Sequence, residues 1–252
     1  MTDFDAFARY YDADYGAFTD DVLFYRELAR RCAGPILEVM CGSGRLLAPL
    51  ALAGHRLTGL DVAPAMLART RHRLSAAGVL DRVELAEGDI RAAVPGGPFA
   101  LAFAALNSFM HLATVEDQLA ALRHIREALG PGGLLALDLF NPDLRTLASN
   151  ANELVLDKTF LLDDGTRVQK FVAQRADTAA QLNYVTFIYD ELDAEGQVRR
   201  AVLPFTMRWL YRYELEHLLA RAGFALEALY GSYDLDEYRA ESELMLAVAR
   251  KV

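Results

Sequence analysis

Cysteine is scarce in this 252-residue chain and basic residues are fewer than acidic ones, and each of these shortages excludes a class of protein. Two cysteines, Cys32 and Cys41, cannot build a disulfide framework, so we expect a reducing, cytoplasmic setting. The chain has 26 Lys and Arg against 35 Asp and Glu, which gives no electrostatic footprint for a nucleic-acid backbone. No apolar run reaches the about 18 residues that a membrane span needs. No group of His, Cys and carboxylates has metal-ligand spacing, so no metal is predicted.

What the chain does have is an alternation of apolar strand patterns and amphipathic helix patterns from residue 35 to residue 139. The strand patterns cover 35–39, 55–60, 82–86, 99–105 and 134–139, and the helix patterns cover 44–53, 64–77 and 115–129. Gly130-Pro131-Gly132-Gly133 is predicted to end the last of these helices. This order predicts an α/β fold with a parallel sheet and helices on both of its faces.

The two ends of the chain and the segment after residue 140 differ from this core. Two helices, 3–15 and 20–32, precede the sheet, and helix 211–222 with strands 224–231 and 243–250 closes it. Between residue 140 and helix 211–222, strand patterns at 154–162, 167–175, 182–192 and 198–209 predict an antiparallel meander. We predict one domain over 1–252, made of a lid (1–33), a core (34–140), an insertion (141–210) and a C-terminal return (211–252).

A glycine turn follows the first predicted strand. Glu38-Val39-Met40-Cys41-Gly42-Ser43-Gly44 ends a short apolar run in a carboxylate and then places two glycines one residue apart. Glycines there let the backbone approach a ligand and adopt a positive φ. Nucleotide-binding enzymes with a dinucleotide cofactor have a third small residue three positions on, where this chain has Leu47. A βα turn with no function is the other interpretation of the same residues.

Two further carboxylates stand at the ends of the next two strands. Asp61 ends strand two, where an acidic side chain can accept hydrogen bonds from a ribose diol. Asp89 follows strand three, where its carboxylate can accept from an adenine amino group and the Ile90 N–H can donate to a ring nitrogen. An Asp before the helix-starting Pro64 and a surface-loop Asp are the alternative interpretations. Together with Glu38, the two residues form a correlated set on successive strands.

In order and spacing, this set resembles the motifs of class I S-adenosylmethionine-dependent methyltransferases. The resemblance covers residues 35–140 and 205–250. It implies a Rossmann-like, mostly parallel seven-stranded sheet, with the meander inserted after strand five and the N-terminal helices as a lid. It implies S-adenosyl-L-methionine as cofactor and S-adenosyl-L-homocysteine as product. The cofactor-binding residues it implies are Tyr11, Glu38, Cys41, Gly42, Gly44, Asp61, Met66, Asp89, Ile90 and Leu106.

Within that family, the chain is similar to small-molecule enzymes, among them the sugar-amine N,N-dimethyltransferases. The similarity lies in Tyr11-Asp12-Ala13-Asp14-Tyr15, in Asn107 to Leu112 and in the strand-rich insertion. It implies methyl transfer to an amine or hydroxyl of a small metabolite. Asn107, Arg208 and Tyr211 are predicted to contact the acceptor, whose identity the resemblance does not give. The exposed edges of the meander would suit a homodimer.

Two residues are predicted to be catalytic. His111 follows strand four on the ligand side of the sheet, and its imidazole titrates near neutral pH, which suits a general base. A loop histidine packed by Phe109 and Leu112 is the other interpretation. Tyr15 shares a helical stripe with Tyr11 and can bring its ring or hydroxyl near a sulfonium cation. Plain packing of the lid helix explains the same stripe.

Three other functions are alternatives to methyl transfer to a small molecule. Asn141-Pro142 resembles part of the Asn-Pro-Pro-Tyr motif of nucleobase methyltransferases, but it follows strand five instead of strand four and lacks the aromatic residue. A nicotinamide oxidoreductase is disfavoured by Leu47. A catalytically silent methyltransferase-like module that only binds a ligand or a partner remains an alternative.

Overall fold

The predicted alternation forms one seven-stranded sheet, and the insertion forms a second sheet of four strands. The computed structural model describes residues 4–143 and 153–252, so residues 1–3 of the predicted lid and 144–152 of the predicted insertion lie outside it. The strands in chain order are β1 (Ile36–Val39), β2 (Leu57–Asp61), β3 (Val83–Glu87), β4 (Phe99–Ala104), β5 (Leu129–Phe140), β6 (Leu154–Leu161), β7 (Arg167–Asp177), β8 (Leu182–Leu192), β9 (Val198–Arg208), β10 (Phe224–Tyr230) and β11 (Leu244–Lys251).

The helices lie before, between and after these strands, close to the predicted positions. They are α1 (Ala8–Tyr15), α2 (Val22–Arg30), α3 (Leu47–Leu52), α4 (Pro64–Ala76), α5 (Val115–Ala128) and α6 (Arg212–Arg221), with 3-10 turns at Phe4–Phe7, Leu80–Arg82 and Ser108–His111. No helix in the described part of the chain is long and apolar enough to cross a membrane.

The large sheet has the strand order β10-β11-β5-β4-β1-β2-β3. Strands β1 to β5 pair with one another in parallel, and β11 pairs antiparallel with both β5 and β10. The chain moves outward from β1 to β3 and then returns to β4 on the other side of β1. Open α/β sheets bind ligands beyond the carboxyl ends of the strands at such a switch point.

Burial on both faces explains the apolar strand sequences. Ile36, Leu37 and Val39 of β1 are fully buried between two helical layers. The turn into α3 also shows why Leu47 replaces the third glycine of dinucleotide enzymes. A Cβ placed on Gly59 of β2 would lie 2.6 Å from Leu47 Cδ1, so the glycine has moved to the strand and the leucine fills the space. This packing agrees with the prediction that Leu47 marks a different class.

The predicted boundary between α5 and β5 needs a correction. The strand begins at Leu129, and Gly130-Pro131-Gly132-Gly133 lies inside it instead of forming a loop before it. Phe99 pairs with Leu129, and Leu101 pairs with Leu134, so β5 has extra residues at this point of its ladder with β4. The four residues therefore form a bulge, in which Gly132 adopts a φ of +67°.

The second sheet is the predicted antiparallel meander, with the order β6-β7-β8-β9. One face packs against the N-terminal helix α1. There the Tyr10 ring stacks on the Tyr189 ring with centroids 4.0 Å apart, beside fully buried Val168. Helix α1 therefore joins the meander to the edge of the large sheet where the site residues lie.

Candidate active site

A cavity of about 560 Å³ lies between the carboxyl ends of β1 to β4, the N-terminal segment and the inner face of the meander. Pockets of this size hold small organic molecules. One end of the cavity is walled by the glycine turn and the carboxylates, and the other end by aromatic rings. The cavity wall includes ten of the predicted site residues: Tyr11, Tyr15, Gly42, Asp61, Met66, Asp89, Ile90, Leu106, Asn107 and His111.

The glycine turn is held in one conformation by its neighbours. Gly42 and Gly44 have φ values of +54° and +73°, which side chains disfavour. A Cβ on Gly44 would lie 2.6 Å from Thr70 Cγ2, and Thr70 Oγ1 donates a hydrogen bond of 2.7 Å to the Gly42 carbonyl. The turn thus exposes bare backbone to the cavity, as the sequence predicted.

Three cavity residues other than glycine also have left-handed backbone conformations. They are Met40, Leu106 and Asn107, with φ values of +57°, +48° and +62°. Such conformations cost energy and concentrate at functional sites. The Asn107 side chain supports its own turn by accepting a hydrogen bond of 2.5 Å from the Phe140 N–H. Sequence reasoning missed Met40, although its place between the strand and the first glycine of the turn was visible.

The two carboxylates in the cavity wall have different partners. Asp61 accepts from the N–H groups of Gly42 and Ala63 at 2.7 and 2.9 Å, while burial raises its pKa. Asp89 accepts from the Arg91 guanidinium, which lowers the pKa of Asp89 and keeps it ionised. Each carboxylate oxygen has a second lone pair, so both residues can still accept hydrogen bonds from a ligand.

Glu38 lies beneath the cavity floor. It is 4% exposed, and burial raises its pKa to about 8. Its Oε2 has no hydrogen-bond partner among the residues that the structure describes. An unpartnered buried carboxylate oxygen next to a bare glycine turn fits a ligand with an ammonium group, such as the amino-acid end of S-adenosylmethionine.

Helix α1 covers the glycine turn with two tyrosines. The Tyr11 hydroxyl lies 3.6 Å from the position of a Cβ on Gly42, and the Tyr11 and Tyr15 rings are 5.2 Å apart. Burial raises the pKa of both phenols, so both stay neutral. Lys170 Nζ donates to the Tyr15 hydroxyl at 3.4 Å, which leaves the phenolic proton free to point toward the cavity.

The opposite end of the cavity is built from aromatic rings of three segments. Phe7 lies 5.8 Å from Phe205, and Phe187 lies 4.8 Å from Phe205, in edge-to-face arrangements. Phe4 and Phe205 flank His111 at centroid distances of 5.1 and 5.4 Å. The sequence predicted that the insertion covers this end, but not which of its residues line it. The alternation of Val185, Phe187 and Tyr189 along β8 was the available signal.

His111 is neutral in this setting. Burial lowers its pKa to about 4, although a backbone hydrogen bond with Thr206 works in the opposite direction. Its Nδ1 has no hydrogen-bond partner in the described part of the chain. The ring therefore combines features of both predicted interpretations, because it packs against aromatic side chains and also lines the cavity with an unused polar atom.

Five predicted site residues lie outside the cavity wall: Glu38 and Gly44, described above, and Cys41, Arg208 and Tyr211. The Cys41 side chain is buried behind the turn, where burial raises the pKa of its thiol. Arg208 forms an ion pair of 2.7 Å with Glu214 and donates to Gln118, which ties β9 to α6 and α5. Tyr211 precedes α6 and is 40% exposed. The Arg208 contacts at this junction hold β9, α5 and α6 together, and neither Arg208 nor Tyr211 lines the cavity.

Comparisons with known proteins agree with this geometry. Residues 36–133 match a family described as "Methyltransferase domain". The chain is 28% identical over 219 residues to the cypemycin N-terminal methyltransferase of a Streptomyces species, covering 86% of this chain and 82% of that protein. It is 34% identical over 162 residues to the ubiquinone biosynthesis O-methyltransferase of Xanthomonas campestris, covering 62% and 64%.

The same architecture occurs in a solved structure. The CcbJ methyltransferase from Streptomyces caelestis superposes with a TM-score of 0.81 at 26% sequence identity. The match covers 100% of this chain and 98% of that one, so it includes the lid and the meander as well as the large sheet.

Proposed function

We propose that the chain is an S-adenosylmethionine-dependent methyltransferase with a class I fold and that it methylates an amine nitrogen of a small-molecule acceptor. The choice of nitrogen over oxygen rests on the protonation state of His111. Burial lowers the pKa of its imidazole to about 4, so the ring is neutral. A hydroxyl acceptor must lose its proton as it attacks, which calls for a base with a pKa near the working pH. A neutral amine attacks through its lone pair and releases its proton afterwards.

The other titratable groups in the described wall of the acceptor end are no better suited as bases. Burial raises the pKa of the Tyr11 and Tyr15 phenols, so both stay protonated, donate hydrogen bonds and do not act as bases. In this proposal His111 orients the acceptor, because Nδ1 can accept a hydrogen bond from an amine N–H and so direct the nitrogen lone pair.

The aromatic end of the cavity supports an acceptor that becomes a cation. Phe7, Phe187 and Phe205 present rings to the space beside the lid tyrosines. Aromatic faces stabilise methylated ammonium groups by about 0.5–2 kcal/mol, depending on desolvation. A methylated amine gains from such a wall, whereas a neutral methyl ether does not.

The cofactor is held by the other end of the cavity in this proposal. When bound, it supplies a methyl group on a sulfonium, which a nucleophile can attack directly. Asp61 accepts from the ribose, Asp89 and Ile90 bind the adenine, and Glu38 receives the ammonium group. The glycine turn, Met66, Leu106 and Tyr11 enclose the cofactor, and Cys41 supports the turn from behind. Tyr15 faces the sulfonium end, and Asn107 lies beside the acceptor.

The test compares matched acceptors. The purified protein is incubated with S-adenosylmethionine and pairs of compounds that differ only in an amino or a hydroxyl group, such as an amino sugar and its parent sugar. Mass spectrometry should find methylation of the amine alone. The rate should rise with pH through the pKa of the acceptor amine, with no step near pH 6.5 from an imidazole. Methylation of the hydroxyl partner alone would contradict the proposal.

A His111→Gln variant sharpens this test. Glutamine keeps a hydrogen-bond acceptor but cannot serve as a base at any pH used. An orienting role predicts that His111→Gln retains more turnover than His111→Ala, with the same pH profile as the unchanged protein. Equal, near-complete loss in both variants would instead assign proton transfer to the imidazole.

We further propose that the chain acts as one domain and forms a homodimer through the outer face of the meander. Leu156, Phe171, Ile188 and Val202 lie in register across all four strands and form one apolar row on that face. Leu156 and Val202 at its ends are 52% and 53% exposed. A second copy is the occupant that we infer, since the row would match its own copy across a twofold axis.

Two predictions from composition also remain proposals. The net charge of −9 supports the exclusion of nucleic-acid acceptors, which filter binding with and without salt would test. The free thiols of Cys32 and Cys41 fit a cytoplasmic location, which cell fractionation would test.

A further inference from the structure

A group of buried polar side chains lies beneath the methionine end of the cofactor site. Glu38 on β1 and Asp138 on β5 project from the same face of the large sheet, because Glu38 pairs with Phe103 and Phe103 pairs with Ala136, two residues before Asp138. The Tyr25 ring of α2 packs on the Phe103 ring between them, with centroids 4.5 Å apart. The three polar residues are 4%, 1% and 0% exposed, respectively for Glu38, Asp138 and Tyr25.

Each of these three residues has an unused polar atom. Glu38 Oε2, Asp138 Oδ1 and the Tyr25 hydroxyl have no hydrogen-bond partner within the described residues. Buried polar atoms in folded proteins are nearly always paired, so three in one place indicate a group that is bound there during function.

The charges of the group are not balanced. Asp21 and Arg45 form a bidentate ion pair, in which Arg45 Nη1 and Nη2 lie 2.6 and 2.5 Å from the two carboxylate oxygens. This pair leaves Glu38 and Asp138 as two further carboxylates with no cation of their own. Burying two uncompensated charges is costly, and a proton on either carboxyl lowers that cost.

Burial is the largest influence on the pKa of each carboxyl and outweighs the facing groups that lower it, among them Arg45. Glu38 faces Arg45, Asp21 and Asp61, and burial is the largest cause that raises its pKa to about 8. Asp138 faces the Tyr233 hydroxyl, the Leu106 N–H, Asp21 and Arg45, and burial raises its pKa to about 6. Tyr25 faces Asp138, Tyr233, Asp21 and Glu38 and stays neutral because burial raises its pKa.

Asp138 also holds part of the cavity wall. Its Oδ2 accepts from the Leu106 N–H at 3.1 Å and from the Tyr233 hydroxyl at 2.8 Å. Its carbonyl accepts from the Asn107 N–H at 3.0 Å. Leu106 and Asn107 are the two left-handed residues at the end of β4, so Asp138 fixes the costly turn that lines the site.

We propose that Asp138 is a positioning residue of the cofactor site, and that the Glu38–Asp138 pair carries a proton in the empty site which it releases when the ammonium end of the cofactor binds. The incoming cation supplies the charge that the pair lacks, and the displaced proton passes to solvent. This proposal rests on the cofactor and not on the choice between amine and hydroxyl acceptors.

The test is calorimetric titration with S-adenosylhomocysteine, which has the ammonium group but no sulfonium and undergoes no reaction. Titrations at pH 6.0, 7.0 and 8.0 are run in buffer pairs of different ionisation enthalpy, such as phosphate and Tris at the two higher values. The difference in heat gives the number of protons released. We expect release of up to one proton at pH 7.0 and less at pH 8.0. Heats that are independent of the buffer at every pH would overturn the proposal.

Variants separate proton release from affinity. Asp138→Asn should bind S-adenosylhomocysteine about tenfold more weakly and release fewer protons, and Glu38→Gln should remove most of the release at pH 7.0. Tyr233→Phe keeps the charge of Asp138 and should change the affinity less. Asp89→Asn at the adenine end is the matched control, because it should weaken binding without changing the proton count. An Asp138→Asn protein that folds, by circular dichroism, and keeps both the affinity and the proton count of the unchanged chain would refute the role of Asp138.

Discussion

At the scale of single residues, the site depends on backbone conformations that cost free energy. Gly42 and Gly44 adopt positive φ values at little cost, whereas Met40, Leu106 and Asn107 do so at a penalty of about 1–3 kcal/mol each. Hydrogen bonds that the backbone N–H groups of these turns donate to neighbouring carboxylates offset part of that penalty. Asp61 serves the glycine turn in this way, and Asp138 serves the turn after β4. Asp61 and Asp138 therefore hold the backbone of the site in place, and in the proposed function Asp61 also contacts the cofactor.

Because Asp61 holds the glycine turn and is expected to bind the ribose, its substitution tests the ribose contact. Asp61→Ala removes the acceptor for the Gly42 N–H and the predicted acceptor for the ribose. A lost hydrogen bond to a charged group is worth about 1.5–3 kcal/mol, so S-adenosylhomocysteine should bind at least about tenfold more weakly by calorimetry. Asp81→Ala, at an exposed residue before β3, is the control and should bind normally. Unchanged affinity in Asp61→Ala would show that Asp61 does not contact the ribose.

At the scale of secondary-structure elements, helix α1 connects the two sheets. On one side, Asp12 forms ion pairs of 2.6 Å with both Arg69 and Arg73 of α4. On the other side, Asp14 forms ion pairs with Lys158 and Lys170 of the meander at 2.6 and 2.9 Å. The helix thus places Tyr11 and Tyr15 between two charged anchors, and its orientation depends on both.

The burial of the Asp14–Lys170 ion pair gives a prediction. The side chains of Asp14 and Lys170 are 0% and 3% exposed, whereas those of the Arg30–Glu27 pair on α2 are 73% and 46% exposed. Asp14→Asn removes the nearest counter-charge of a buried lysine and should lower the free energy of unfolding by about 3–5 kcal/mol in urea. Arg30→Ala, the control, should lower it far less, because exposed ion pairs contribute little to stability. Similar losses in the two variants would mean that burial of the pair does not matter.

The order of elements could be predicted from the sequence, because strand and helix periodicities are local. The alternation between residues 35 and 139 and the four meander strands were predicted correctly for this reason. The Gly130–Gly133 segment was not, because its place in the β4–β5 ladder depends on pairing with Phe99. The residues of the aromatic end of the cavity were not predicted, because their positions also depend on tertiary contacts. Phe7 and Phe205 meet only after α1 docks on the meander, and no local pattern records that contact.

At the scale of the whole molecule, the cavity exists only because the meander folds back over the large sheet. The common location of Asp61 and Asp89 in the cavity wall could be predicted because parallel strands bring their carboxyl ends to one edge of the sheet. Arg208 and Tyr211, which were predicted to contact the acceptor, do not line the cavity, because the junction that they occupy faces α5 and α6. In the proposed function, this architecture lets the large sheet bind the cofactor while the lid and the meander enclose the acceptor.

The meander has a second face, which helix α1 leaves uncovered. With strands about 4.8 Å apart and about 3.3 Å per residue, four strands of this length present a face on the order of 500 Å². Standard interfaces bury about 800 Å² per partner. The apolar row of Leu156, Phe171, Ile188 and Val202 therefore suits a dimer that depends on concentration, formed by two copies packed face to face.

Analytical ultracentrifugation over a range of concentrations tests this dimer. Leu156→Glu combined with Val202→Glu places a charge at each end of the row, and like charges meeting across the interface should shift the protein to monomers. Leu52→Glu is the matched control, because Leu52 is 64% exposed on α3, away from the meander. That variant should keep the concentration dependence of the unchanged chain. A monomer at every concentration before any substitution, or a dimer that survives both charges, would contradict the proposed interface. Because the row lies on the face opposite the cavity, the double variant should still bind S-adenosylhomocysteine, which separates loss of assembly from loss of the site.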